Sequence, residues 1–230
     1  MPSPIITATI QSTVLAATSN LIAQALGAYK SNEPFVLDWV PLFQFALYAV
    51  VSTPPNFLWQ ELLEHSFPSS GSPSPPPAAA AAAAPNGKKQ QKQPKPKGEA
   101  GEGKLSVGNT MAKLALDQTV GAALNTVMFS VFLHSVQAAM AHRPVAPADS
   151  FAFLAGGFNK AVDYSAVRWD DVWARASAEF VPLMVASWRL WPLVSLINFA
   201  FVRSVATRNL VGGLAGVGWG VYVSMFAAGR

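Results

Sequence analysis

The sequence predicts an all-α fold: an integral membrane bundle of about four transmembrane helices, with an amphipathic helix at the interface. Two observations carry this. Charged residues make up only 12% of the 230, while 51% are apolar. Soluble domains hold roughly 25% charged residues, so this chain has too few ionised groups to cover a water-facing surface. Secondly, Trp39–Gln60, Gln118–His142 and Asn209–Gly229 contain no Asp, Glu, Lys or Arg. Each reaches the ~20 residues that a helix needs to cross a bilayer.

The first helix is expected near 5–28, in a charge-free N-terminal stretch that is richer in hydroxyl and amide side chains. The second, near 36–64, is bracketed by Trp39 and Trp59, as suits aromatics at two headgroup levels. Pro54 and Pro55 fall inside it and remove backbone donors. Residues 1–67 thus form one transmembrane unit.

Residues 68–104 change character completely, to SSGSPSPPPAAAAAAAPNGKKQQKQPKPKGEAGEGK after Pro68. Without an aromatic residue to bury, this insertion reads as a disordered loop. Six of the sixteen Lys and Arg residues and two of the twelve acids lie in it, so the rest of the chain holds ten of each. The basic balance therefore belongs to the loop, and no basic stripe points to nucleic acid. By the positive-inside rule the loop faces cytosol or matrix. Two spans on either side put both termini on that same side.

Residues 105–230 hold the third and fourth spans, near 106–141 and 192–227, the last one broken. Between them RWDDVWARASAEF reads as the interfacial helix, with Asp170 and Asp171 in its first turn, where a helix N-terminus favours acids. Pro192 can open the last span, because a proline's missing N–H has no helical partner in the first turn. The run beyond it is too short to cross a bilayer, so Arg203 and Arg208 mark a broken helix or charges facing a wet interior.

Polar groups at membrane depth usually face the bundle interior. Asn20 and Gln24 share a face with Ser12 and Ala16, and Asp117 shares one with Gly121 and Asn125. Gln118, Ser195 and Asn198 complete the set of candidate pore-lining or bundle-lining positions, together with Arg203 and Arg208. Two readings stand for the amides: hydrogen-bond glue between helices, or contacts for a solute. Asp117 either pairs with Lys113 one turn earlier near a surface or lines a pore. Gly212, Gly216, Gly220 and Ser224 are spaced by four, a seam that lets another backbone approach, within one subunit or between two.

Catalytic patterns are missing from the sequence. It has no cysteine and three scattered histidines, His65, His134 and His142, with no metal-ligand spacing. No Gly-x-Ser-x-Gly elbow or phosphate loop follows a strand. Neither an enzyme nor a cofactor is expected. The N-terminus has no Lys or Arg before Lys30, so a targeting signal is expected to be internal.

The run WRLWPLVSLINFAFVRSVATRNLVGGLAGVGWGVYVS resembles the signature of the Mpv-seventeen family, that of the 22-kDa peroxisomal membrane proteins. Trp188, Trp191, Pro192, Asn198, Phe199 and Val202 fall in register, as do Trp219, Tyr222 and Ser224. Asp117 with Gln118, Pro54 with Trp59, and Gln24 are similar to further family positions. Ser195 stands where the family has Gln, Arg203 where it continues with Val-Pro, and Asn20 at a usually acidic position; Arg208 matches the family Arg with a shift of one residue. The resemblance implies an integral protein of the peroxisomal membrane or mitochondrial inner membrane, involved in metabolite and reactive-oxygen homeostasis.

Together these features lead to the expectation of a weakly selective channel for small solutes, embedded in a lipid bilayer. Four helices enclose a narrow pore at best, which favours a homo-oligomer. The alternative is a non-conducting scaffold or tether that organises membranes through loop 68–104 and a protein or anionic-lipid partner.

Overall fold

A computed structural model of the chain describes residues 3–69 and 106–228, and no strand occurs among them. All of the 68–104 loop except Pro68 and Ser69 lies outside the described residues, as does its reading as disordered. The long helices are α1 (Pro4–Ser31), α2 (Trp39–Ser66), α3 (Val107–Ala139), α4 (Trp169–Ser187), α5 (Trp191–Phe201) and α6 (Val205–Ala228). Helices α1 and α3 are long and apolar enough to cross a membrane, and α4 with α5 qualifies as one broken span bent by 54°. The protein is an all-α membrane bundle.

Burial in the bundle is inverted relative to a soluble domain. Along α1, Ile6, Ile10 and Val14 point outward while Ser19 and Asn20 are buried. In α3 and α6, Lys113 and Arg208 are among the most enclosed side chains of the described residues. Lipid solvates the outward aliphatic face, and polar groups turn inward to find partners.

Helix order follows from short connections. Asn32, in the left-handed conformation, ends α1, and the Asp38 carboxylate accepts from the Val40 N–H to start α2. Gln24 locks this turn, because its side-chain amide exchanges two 2.8 Å bonds with the Asp38 backbone. Helix α3 returns antiparallel to α2. Helix α4 then runs back along α3, with Thr126 against Met184 and His134 against Glu179.

The run 169–201 differs from the expectation in one respect. Its parts, which the sequence divides between an interfacial helix and the last span, form one bent traverse of the bundle. The amphipathic α4 packs lengthwise on α3 through Val172, Ala176, Met184 and Ser187, and α5 continues onto the first turns of α3. Three traverses therefore follow the loop instead of two. Helix α6 consequently runs parallel to α1, with Ser19 bonded to the Val217 carbonyl. It leads away from the loop end, not back to it, so the even count that placed both termini on one side does not hold.

At the end remote from the loop, the 140–168 connector is folded under the helices. Val40, Val136, Met140, Val162, Val167 and Val172 form an apolar cluster there, closed by the Trp39 N–H donating to Ser150 Oγ.

Candidate functional site

A cavity of about 350 Å³ lies inside the bundle, lined by residues from every long helix. Its walls combine aromatic and aliphatic groups with a band of polar side chains that includes Asp117, Gln118, Asn125, Ser195, Asn198 and Arg208. These six sequence candidates come together from three helices. Asn20, Gln24 and Arg203 do not join them. Asn20 accepts a bond from Gln24, which makes that pair part of the α1–α2 lock, and Arg203 is exposed beyond the end of α5.

Asp117 owes its position to a single π turn, Asp117–Gly121, inside α3. The Ala122 N–H reaches back five residues to the Asp117 carbonyl. The Gln118 carbonyl instead accepts from the Trp188 indole at 2.9 Å. Such bulges recur at functional sites because they re-aim side chains without ending the helix. Here four neutral donors converge on the Asp117 carboxylate. Trp59 Nε1 and Gln60 Nε2 donate to Oδ1 at 3.2 and 3.0 Å. Ser195 Oγ and Gln118 Nε2 donate to Oδ2 at 2.6 and 3.1 Å. Gly121 makes room for them, since a Cβ there would lie 2.8 Å from Trp59 Nε1.

Lys113 does not pair with Asp117 as its spacing allowed. It donates to Glu64 Oε2 at 2.7 Å, because α2 presents Glu64 across the interface. Arg208 binds the same oxygen through Nη1. Ser69 completes the group: its N–H donates to Glu64 Oε1 at 2.8 Å and its hydroxyl to Oε2 at 3.0 Å. Its hydroxyl oxygen accepts from Lys113 and from Arg208 Nη2. Lys113 Nζ and the Arg208 guanidinium also lie 5.1 and 5.5 Å from the centre of the Phe199 ring, a geometry in which a ring face attracts cations.

Arg208 has a further task. Its Nε–H is shared by the Asn198 and Val202 carbonyls at 3.2 and 2.7 Å. Helix C-termini leave carbonyls short of helical partners; α5 ends at Phe201, where the Asn198 carbonyl also accepts from the Val202 N–H. The cation thus caps the break between α5 and α6, while Asn198 Nδ2 donates back to the Arg208 carbonyl. The helix is broken at this point, and Arg208 is enclosed beside the break.

The glycine seam is only partly a contact. A Cβ on Gly220 would come within 2.2 Å of Ser19 Oγ, so α1 and α6 touch there. Gly212 and Gly216 have nothing within 4 Å of a Cβ and open onto the cavity. The other close approach is Gly213, against Leu15, a position that the four-residue spacing missed because α6 turns a slightly different face to α1. The side chain of Ser224 lies outside the described residues. Asn125 bonds the Gly121 carbonyl of its own helix.

The signature positions are mostly packing and capping elements. Trp188 caps Gln118, Phe199 lies under two cations, and Pro192 opens α5. Trp191, Trp219 and Tyr222 meet in series, the first pair edge to face and the second tilted, with ring centres 6.4 and 5.4 Å apart. Sequence reasoning missed Glu64 and Ser69. The signal for Glu64 was its position one turn after Gln60, on a face that already carried a polar group.

Residues 165–224 match the model of the Mpv17 / PMP22 family. A stretch of 49 residues is 49% identical to the PXMP2/4 family protein 3 of Dictyostelium discoideum, covering 21% of this chain and 26% of that protein. The match therefore spans about a quarter of the relative's length. No solved structure matches the chain.

Proposed function

With residues 165–224 matching the model of the Mpv17 / PMP22 family, we propose that this chain is a weakly selective channel for small solutes in an organelle membrane. The observation that carries the reading is the cavity of about 350 Å³ within an otherwise lipid-facing bundle, walled in part by amides, hydroxyls and one acid. A bundle that only had to pack would close such a space with aliphatic side chains, since membrane helices associate through close contact. Gly212 and Gly216, open to the cavity rather than to a neighbour, also favour passage over packing. The membrane is that of peroxisomes or the mitochondrial inner membrane, and the role is in metabolite and reactive-oxygen homeostasis, without catalysis. The conducting unit is a homo-oligomer, because one bundle encloses only this narrow space.

Purified full-length protein in planar bilayers is expected to give discrete conductance steps. Silent bilayers at verified protein density overturn the reading. Deleting 71–103, which leaves Ser69 in place, should leave the steps intact. If the bilayers are silent and that deletion strips the protein of its partners in organelle membranes, the scaffold reading takes over. Imaging a tagged chain against markers of the two organelles decides the location.

A further inference from the structure

Among the described residues that line the cavity, Asp117 is the only acid and Arg208 the only cation. Their capacities for a solute differ. An ionised carboxylate offers about four lone-pair sites, and Asp117 already receives four donors. A cation entering the cavity would have to displace one of them. A guanidinium has five N–H groups. Those of Arg208 reach the Asn198 and Val202 carbonyls through Nε, Glu64 through Nη1 and Ser69 through Nη2. Among the described residues, one N–H on each terminal nitrogen has no partner.

The charge around Arg208 points the same way. Lys113 and Arg208 are both enclosed, with side-chain exposures of 0% and 1%, and they share the single carboxylate of Glu64. That carboxylate is itself saturated by the two cations and by Ser69. The cluster therefore carries one positive charge beyond its described partners, in surroundings where an unbalanced charge is costly. Arginine keeps its charge in any environment, so an anion is the natural complement.

A separate observation concerns Asn198, which lines the cavity. Its Oδ1 is buried and has no hydrogen-bond partner among the described residues, although its Nδ2 and carbonyl both engage Arg208. A buried amide oxygen left in this way lacks a donor. Open donors and an open acceptor thus belong to two residues bonded to each other. At ~30 Å³ per water, the cavity has room for a solute of roughly a dozen heavy atoms.

We propose that Arg208 and Asn198 form a binding site for a small oxyanion that also carries a hydroxyl or amine donor, and that this site makes the cavity prefer anions to cations. The carboxylate or phosphate oxygens take the open N–H groups of Arg208, and the donor of the same solute reaches Asn198 Oδ1. The site itself rests on geometry and charge and not on the channel reading. Its consequence for ion selectivity rests on the channel reading above.

Two experiments on the full-length chain separate the parts. In vesicles of zwitterionic lipid, phenylglyoxal modification is followed at Arg208 and, as a reference, at the exposed Arg203, by mass spectrometry of the peptides. Inorganic phosphate or lactate should slow modification of Arg208 several-fold and leave Arg203 unchanged. Lactate should protect better than acetate by about two- to tenfold, the range of one added neutral hydrogen bond. An Arg208 that never reacts, or reacts equally fast with and without these anions, overturns the site. Protection that appears only in vesicles containing anionic lipid, and not with soluble phosphate, reassigns it to a lipid headgroup and overturns the solute proposal.

In planar bilayers under a tenfold KCl gradient, the reversal potential should lie on the chloride side of zero, and Arg208→Gln should move it toward potassium. A wild-type channel on the potassium side overturns the anion preference and leaves the channel intact. Absence of any conductance sinks the channel reading, and the protection experiment then still decides the site. That experiment uses the unmutated chain, so it stands even if Arg208→Gln fails to fold.

Discussion

Two carboxylates are held inside this bundle, and they are held in opposite ways. Asp117 is surrounded by an indole, two amides and a hydroxyl, all neutral. Glu64 lies between two enclosed cations. The first arrangement spreads one charge over four dipoles drawn from three helices, so removing any single member leaves the others in place. The second makes each charge depend on the next. The neutral cage tolerates the loss of one partner, and the ionic cluster does not tolerate the loss of its acid.

The largest effect is expected from Glu64→Leu. It leaves Lys113 and Arg208 enclosed with no acid, and breaking a buried pair from one side costs about 3–5 kcal/mol. Thermal unfolding in detergent should show a collapse in stability or yield. Lys113→Met should be far milder, because Glu64 keeps Arg208 and Ser69 as partners and Lys113 loses no one that depends on it alone. If the two variants lose equal stability, the cluster is not the one-acid hub described.

Asp117→Asn tests the neutral cage and should cost less, about 1–3 kcal/mol, the penalty for groups left without partners. The amide keeps one acceptor oxygen, and its NH₂ then faces donors such as Ser195 Oγ and Gln118 Nε2. The same unfolding assay applies. A loss as large as that of Glu64→Leu would mean that the charge of Asp117, and not its four bonds, is what the bundle responds to.

The sequence shows only one side of this contrast, that of Asp117. The helices were legible because charge-free runs of bilayer length have few alternatives. Asp117, Ser195 and Asn198 were legible because polar groups at membrane depth usually turn inward. Which helix each would face was not. Glu64 meets Lys113 across 49 residues and Arg208 across 144, and spacing within one helix says nothing about such pairings. The π turn was hidden because DQTVG reads as ordinary helix, and only the displaced ladder explains the contact between Gln118 and Trp188. The small-residue stripe on α6 identified a face, yet only the neighbouring α1 decides that Gly220 is crowded and Gly216 is open. In 169–201, the charges at the start of α4 pointed to a surface, and the apolar second half that carries the helix through the bundle weighed less than it should.

The smallest effect calibrates the rest. Arg168 Nε lies 3.4 Å from Asp171 Oδ2, three residues on, with side-chain exposures of 79% and 58%. Chemically it is the same guanidinium–carboxylate contact as Arg208 with Glu64. Water already solvates both partners, so Arg168→Ala should cost no more than about 0.5 kcal/mol. High salt should change the wild-type stability little through this pair, because what it screens is already weak. The ratio between this variant and Glu64→Leu therefore isolates burial as the variable. Should Arg168→Ala prove as damaging as the Glu64 variant in the same unfolding assay, the number of charges removed would matter and their surroundings would not. The contrast between the cage and the cluster would then have no basis.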